Sequence, residues 1–388
     1  MARETSDAAS LPKNPDPHLI AESDHARILI LSMRHLTTHA SRCATYEFED
    51  TISACDAVDV VAPVRTPSAG RITRRIQRSV GKGDWTVTAS LPPGRDYELL
   101  LTTFQEPSDV EYFARLRGVR ERCRLSACVL QEVWASQLDK WRPQVRRLSD
   151  FDVIFTPLSS STSTLSELLG RPCHFVIGGV DAARFCPYPD PPDRTIDVYS
   201  MGRRSQAVHR ALLHLADASG CFYLYDTVPN FSVMDPAEHR ALLRNFVKRS
   251  RYFVAYPAKF DSPEETHGQQ EVGMRHFEGA AGGAVMLGSP PRCQAYDDHF
   301  DWPDAVVPVT ASDPSDIADV IAELDRQPER VQRIRRNNIV NALLRHDWVY
   351  RWRQMLDIVG LAPSEGMSVR EAQLKRLAAM VLASLGTL

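Results

Sequence analysis

The chain has 388 residues, of which 43% are hydrophobic and 24% charged, with a net charge of -3 and a pI near 6.5. This length predicts two globular domains, and the near-neutral charge gives no general reason to expect nucleic acid or membrane binding. The eight cysteines include no C-x-x-C pair, which argues against a zinc knuckle or a thioredoxin-type redox site.

Residues 1–25 carry Pro12, Pro15 and Pro17 among polar side chains and lack the apolar stretch of a secretory leader, so they are expected as a disordered arm. No run of about 18 apolar residues follows that could span a membrane. With this pattern the cysteines are expected as buried, reduced thiols and the protein as cytoplasmic.

From Arg27 onward apolar runs alternate with amphipathic ones. Strands are expected at 28–33, 58–62, 97–102, 125–130, 153–156 and 173–177. Helices are expected at 46–55, at 108–117 with Ser108 as N-cap, and at 163–169 closed by Gly170. The glycine- and proline-rich stretch from Gly178 to Pro192 marks a domain boundary. The alternation then restarts, with strands at 196–200, 221–225, 252–255, 284–287 and 305–309. Helices fall between them at 207–218, at 236–248 with Asp235 as cap, at 273–281 and at 315–325. Three helices close the chain, at 328–344, 346–358 and 368–384. Alternation of this kind predicts two doubly wound, Rossmann-like α/β domains facing across a cleft. The expected division is 26–181 with 346–388 for the first domain and 182–345 for the second.

Three segments resemble a known pattern. Gly178-Gly179-Val180-Asp181-x-x-x-Phe185-x-Pro187 resembles the inter-domain linker of GT-B glycosyltransferases. Gly273-Met274-Arg275-x-Phe277-Glu278-x-x-Ala281-x-Gly283-Ala284 resembles their donor-binding helix start, nearest to the group 1 branch that includes spore-maturation-type proteins. His346-Asp347-Trp348-Val349-Tyr350-Arg351-Trp352 resembles the opening of the C-terminal helix that crosses back to the first domain. The resemblance implies a GT-B fold and a sugar transfer from a UDP-, GDP- or dTDP-linked donor to a hydroxyl of a small molecule or glycan. It implies neither a metal nor a resident cofactor.

A glycine-rich turn before a helix exposes backbone N–H groups at the positive end of the helix dipole, which suits a pyrophosphate. Gly273 and Met274 are the candidates for that turn, and the resemblance gives Glu278 the ribose hydroxyls. Counting back eight positions from Glu278, where retaining members often carry a first glutamate, gives Gln270, with Glu271 beside it. Arg203 or Arg204, after the first strand of the second domain, and Lys259, after a later strand, are candidate cations for the diphosphate leaving group. In the first domain His35 and Glu132 follow strand ends and are candidate bases for an acceptor hydroxyl. The acid-free stretch from Pro63 to Gly83 carries Arg65, Arg71, Arg74, Arg75, Arg78 and Lys82. It is read as a solvated face, with contact to an anionic acceptor or weak contact to a membrane surface as the alternatives.

Asp150-Phe151-Asp152 has the D-x-D form of metal-dependent sugar transferases but precedes its strand, at the wrong end of a sheet. No G-x-G-x-x-G follows the first strand. Two competing readings are a catalytically silent GT-B scaffold that binds or regulates a partner, which Gln270 favours, and a nucleotide-sugar epimerase.

Overall fold

The computed structural model describes residues 19–37, 39–67, 85–114, 116, 118–227, 232–312 and 317–384. Most of the cationic stretch, Arg71 to Lys82, and the arm up to residue 18 lie outside the described residues.

The first domain is built on a seven-stranded sheet of order β1-β3-β2-β6-β7-β8-β9. Its strands are β1 (Leu19–Ala21), β2 (Ile28–Leu31), β3 (Val58–Val61), β6 (Tyr97–Phe104), β7 (Cys123–Leu130), β8 (Val153–Thr156) and β9 (Cys173–Phe175). All neighbours run parallel except β1, which pairs antiparallel with β3. A separate antiparallel ribbon joins β4 (Val64–Pro67) to β5 (Trp85–Thr88). Every residue of β2 is buried, because helices cover both faces of a parallel sheet.

Two expectations need correcting here. The arm does not extend to residue 25: Leu19 and Ala21 lie opposite Val61 and Val60. The anchor is Asp59, fully buried on β3, which accepts from Ser23 N at 2.9 Å, Tyr97 Oη at 2.8 Å and Arg95. Ser108 is not a helix cap either. Glu106 caps the turn Pro107–Asp109 in a reciprocal arrangement with Asp109, and the helix proper is the short Val110–Phe113.

The second domain has an all-parallel sheet of order β11-β10-β12-β13-β14. The strands are β10 (Ile196–Ser200), β11 (Tyr223–Tyr225), β12 (Ser250–Ala255), β13 (Val285–Gly288) and β14 (Val307–Pro308). Eight helices matter for the site: α1 (Cys43–Cys55), α2 (Thr162–Leu169), α3 (Gln206–Ser219), α4 (Pro236–Arg249), α5 (Met274–Ala281), α6 (Pro328–Asn341), α7 (Trp348–Val359) and α8 (Glu365–Ala383). Asp235 caps α4 by accepting from Ala237 N and Glu238 N, and Gly170 ends α2 in the left-handed region at φ 63°.

The two units meet at a hinge made by the resembled segments. Val180 N donates to His346 O at 3.0 Å and Trp348 N to Val180 O at 3.1 Å. Ala182 N donates to Asp347 Oδ2 and Arg351 Nε to Gly178 O. Gly179 is required by close approach: a Cβ there would stand 2.7 Å from the Trp348 ring. Helices α7 and α8 then pack on α1 of the first domain. Trp352 Nε1 reaches Asp56, and Arg27 Nη1 reaches Ala362 O. One apolar core runs unbroken through this hinge, from Ile28 and Phe48 through Trp348 and Trp352 to Phe253 and Phe277. The C-terminal helices therefore do cross back. All eight cysteines are unpaired, with Cys221 and Cys293 only half-buried.

Candidate functional site

The strand ends of the second domain place Gly273, Met274, Arg203 and Lys259 near one helix start, and leave Arg204 and Gln270 turned away from it. Gly273 is the N-cap of α5, in extended backbone, and no side chain among the described residues caps the helix. A Cβ on Gly273 would lie 2.8 Å from Tyr256 O, so only glycine lets the loop after β12 come this close to the helix start. Met274, the first helical residue, packs half-buried beside Gly178 of the hinge. Arg275, one residue on, lies over the turn after β10, because a Cβ on Gly202 would stand 3.3 Å from Arg275 Nη2.

The two arginines after β10 diverge. Arg203 reaches across to the loop after β12, 2.8 Å from Asp261 Oδ1 and 3.0 Å from Ser262 Oγ. Arg204 turns the other way and lies over the Tyr225 ring, 5.3 Å from its centroid. Arg203 therefore shares the loop of Lys259, and Arg204 does not. Lys259 has φ 49°, rare for a residue with a side chain. Its ammonium sits between Glu132 at 3.1 Å and Glu265 at 2.7 Å. Burial works against its charge, but Glu132 and Glu265 outweigh this and raise its pKa.

Glu278 is not the open carboxylate that the resemblance implies. It is 1% exposed, with one oxygen on Arg240 and the other on Arg275. Arg240, itself 5% exposed, also donates to both oxygens of Glu47 at 2.8 and 2.9 Å. Glu47 belongs to α1 of the first domain and further accepts from Trp348 Nε1 and Asp181 N. One buried chain of charges thus runs from the first domain through the hinge to the helix start. Burial pushes the Glu278 carboxyl upward, yet Arg275 and Arg240 overcome it and hold the pKa below the ordinary value.

Gln270 points away from this helix start, accepting from Arg292 N at 2.9 Å. Its neighbour Glu271, fully buried, crosses to the first domain. It accepts from Ser159 N, Ser159 Oγ and Ser160 N just before α2, and from Gln269 Nε2. The same loop binds the first domain through Ala135 N to Gln269 Oε1 at 3.0 Å and Ser136 Oγ to Glu265 O. Asp152 of the rejected D-x-D accepts from Ser126 N and Oγ and pairs with Arg120.

The first-domain candidates separate. Glu132 is drawn into the Lys259 pair. His35 is exposed and opens onto a cavity of about 380 Å³ between α1 and the start of α4. That cavity is lined by Arg34, Tyr46, Glu47 and Asp50 from one side and by Asp235, Arg240 and Arg244 from the other. A second, mostly apolar cavity of about 200 Å³ lies beyond α4, against Tyr199, Leu224, Tyr225, His239 and Phe246.

Sequence reasoning missed Arg240, Glu47 and Arg275 as site residues. Arg275 lies three positions before Glu278, the spacing of a helical ion pair, so its signal was present. Arg240 and Glu47 gave none, because their partners are distant in the chain.

Residues 173–357 match a family model described as "Glycosyl transferase-like". No curated protein sequence matches the chain. Among solved structures, a glycosyltransferase from Rickettsia africae ESF-5 is similar at 11% identity and TM-score 0.50, covering 86% of this chain and 98% of that one. An alpha-glucosyltransferase in complex with UDP gives 11% identity and TM-score 0.52, over 87% and 100%. An alpha,alpha-trehalose-phosphate synthase (UDP-forming) from Burkholderia vietnamiensis gives 12% and 0.51, over 94% and 99%. At these identities the structures speak for the fold, and the family match lies at the level of the broad group, above the spore-maturation-type branch. The second half of the chain thus carries a glycosyl transferase-like family match, and the two-domain fold across most of the chain is the one seen in GT-B glycosyltransferases.

Proposed function

We propose that the cleft moves a sugar from a nucleotide-sugar donor to an acceptor hydroxyl without a metal ion, with the diphosphate held at the start of α5. The observation that carries this reading is the convergence of Arg203, Lys259 and Arg275 on an uncapped helix N-terminus. Backbone N–H groups and guanidinium or ammonium groups placed there stabilise the charge that grows on the departing diphosphate. Glu278 acts through Arg275, fixing the guanidinium over the Gly202 turn. Lys259 leaves Glu132 for a phosphate when the donor enters, so donor binding and domain contact compete for one cation. Closure of the two domains keeps water from the donor. Of the two candidate bases, His35 opens onto the inter-domain cavity while Glu132 is engaged by Lys259, so proton removal from the acceptor falls to His35. The UDP named with one similar structure favours a uridine donor.

Thermal shift with UDP-, GDP- and dTDP-sugars in the presence of EDTA tests this, and one nucleotide class should raise the melting temperature. Mass spectrometry on an incubation with that donor should then find free nucleotide and a glycosylated acceptor. No shift with any nucleotide, or a shift that EDTA abolishes, would reject the reading as stated.

A further inference from the structure

The inter-domain cavity that His35 opens onto carries an imbalance of charge. Its acids are all answered within the protein. Glu47 is taken by Arg240, Asp50 by Arg34 at 2.6 Å, and Asp235 by the first N–H groups of α4. The two inner cations are answered as well, Arg34 by Glu49 and Asp50 and Arg240 by Glu47 and Glu278. Two further cations on the lining are not. Arg244, half-buried on α4, has no ion pair among the described residues. Arg184, from the linker, has a side chain 63% exposed; its ion pair among the described residues is with Asp181, 3.4 Å away and already held by Arg370 at 2.8 Å. Unanswered guanidinium groups beside a cavity recruit an anion, and their fork matches a phosphate or a carboxylate.

We propose that this cavity is the acceptor subsite and that it takes an acceptor carrying an acidic group, a phosphate ester or a carboxylate, held by Arg244 and Arg184. The proposal rests on the glycosyltransferase reading and adds the class of acceptor. The anion anchors the acceptor at the α4 side, and His35 is on the same lining to meet a hydroxyl. The cavity draws residues from both domains, so an acidic acceptor also bridges them.

Inorganic phosphate and acetate, titrated separately against the full chain by calorimetry, provide the test. In an Arg203→Gln, Lys259→Met background, which removes two cations assigned to the donor diphosphate, at least one anion should bind saturably, and its affinity should fall at least fivefold on adding Arg244→Gln and again on adding Arg184→Gln. Preference between the two probes separates a phosphate ester from a carboxylate. Absence of saturable binding by either anion overturns the proposal. So does binding in that background that persists once both Arg184→Gln and Arg244→Gln are added. The nucleotide-sugar thermal shift, run on the same proteins, keeps the two readings apart. A failed donor reading removes the nucleotide response from the unaltered protein, whereas a failed acceptor proposal leaves that response intact.

Discussion

Two regions of this protein are built from the same chemistry, arginine or lysine against carboxylate, and differ in burial. At the hinge, Glu47, Arg240, Glu278 and Arg275 form a chain in which Arg240 and both its partners are 6% exposed or less. At the cleft rim, Lys259 faces Glu132 and Glu265, whose side chains are 30% and 42% exposed, and Arg203 faces a half-open Asp261. Removing one partner from a buried set strands the others in a low dielectric, while rim pairs exchange readily with water or ligand. The hinge set is therefore the costlier one to break, and the rim pairs are the readier to exchange partners.

The largest test of this contrast is Arg240→Met, which leaves Glu47 buried without its cation and Glu278 with Arg275 alone. Unfolding should show a loss of roughly 3–5 kcal/mol, and a loss below about 1 kcal/mol would place the hinge chain with the rim pairs. Next is Glu271→Ala, which strips the acceptor from Ser159 N and Ser160 N; about 1–3 kcal/mol should be lost, with faster proteolysis where the domains meet. A third test is in acid. Because Arg275 and Arg240 hold Glu278 below its ordinary 4.5, its contribution is present above that pH and is lost as pH falls through the folded value. Melting temperature should therefore drop more steeply below about pH 4.5 in the unaltered protein than in Glu278→Gln, and parallel curves would refute the pairing. The smallest expected effect is Lys259→Met, below about 1 kcal/mol in stability but with clear loss of nucleotide response. A large stability loss with unchanged nucleotide response would reverse the comparison.

The fold was largely legible because local signals and global pattern agree. The Asp235 cap and the Gly170 stop appear in the structure where the pattern puts them, and the apolar run expected as a strand at 28–33 forms one at Ile28–Leu31. What was not legible came from contacts distant in sequence. Leu19–Ala21 is a strand because Asp59 holds Ser23, and nothing in a polar, proline-bearing segment announces that. Glu278 was identifiable by position, but its enclosure was not, since one of its partners, Arg240, is 38 residues away. The divergence of Arg203 and Arg204 follows from where Tyr225 lies, a fact of strand order. The helix expected from His346 begins at Trp348 because Asp347 is its N-cap, accepting from Val349 N at 3.0 Å.

The chain passes between the domains twice, near Gly179 and near Asp347, and the two passages are bonded to each other as a parallel bridge. Arg370 of α8 grips both, through Asp181 and Asp347. Two straps fastened side by side resist twisting while still permitting a bend across them. Any change of angle between the two domains would have to bend both passages at once, so the cost of separating them is shared by two chain crossings and one arginine.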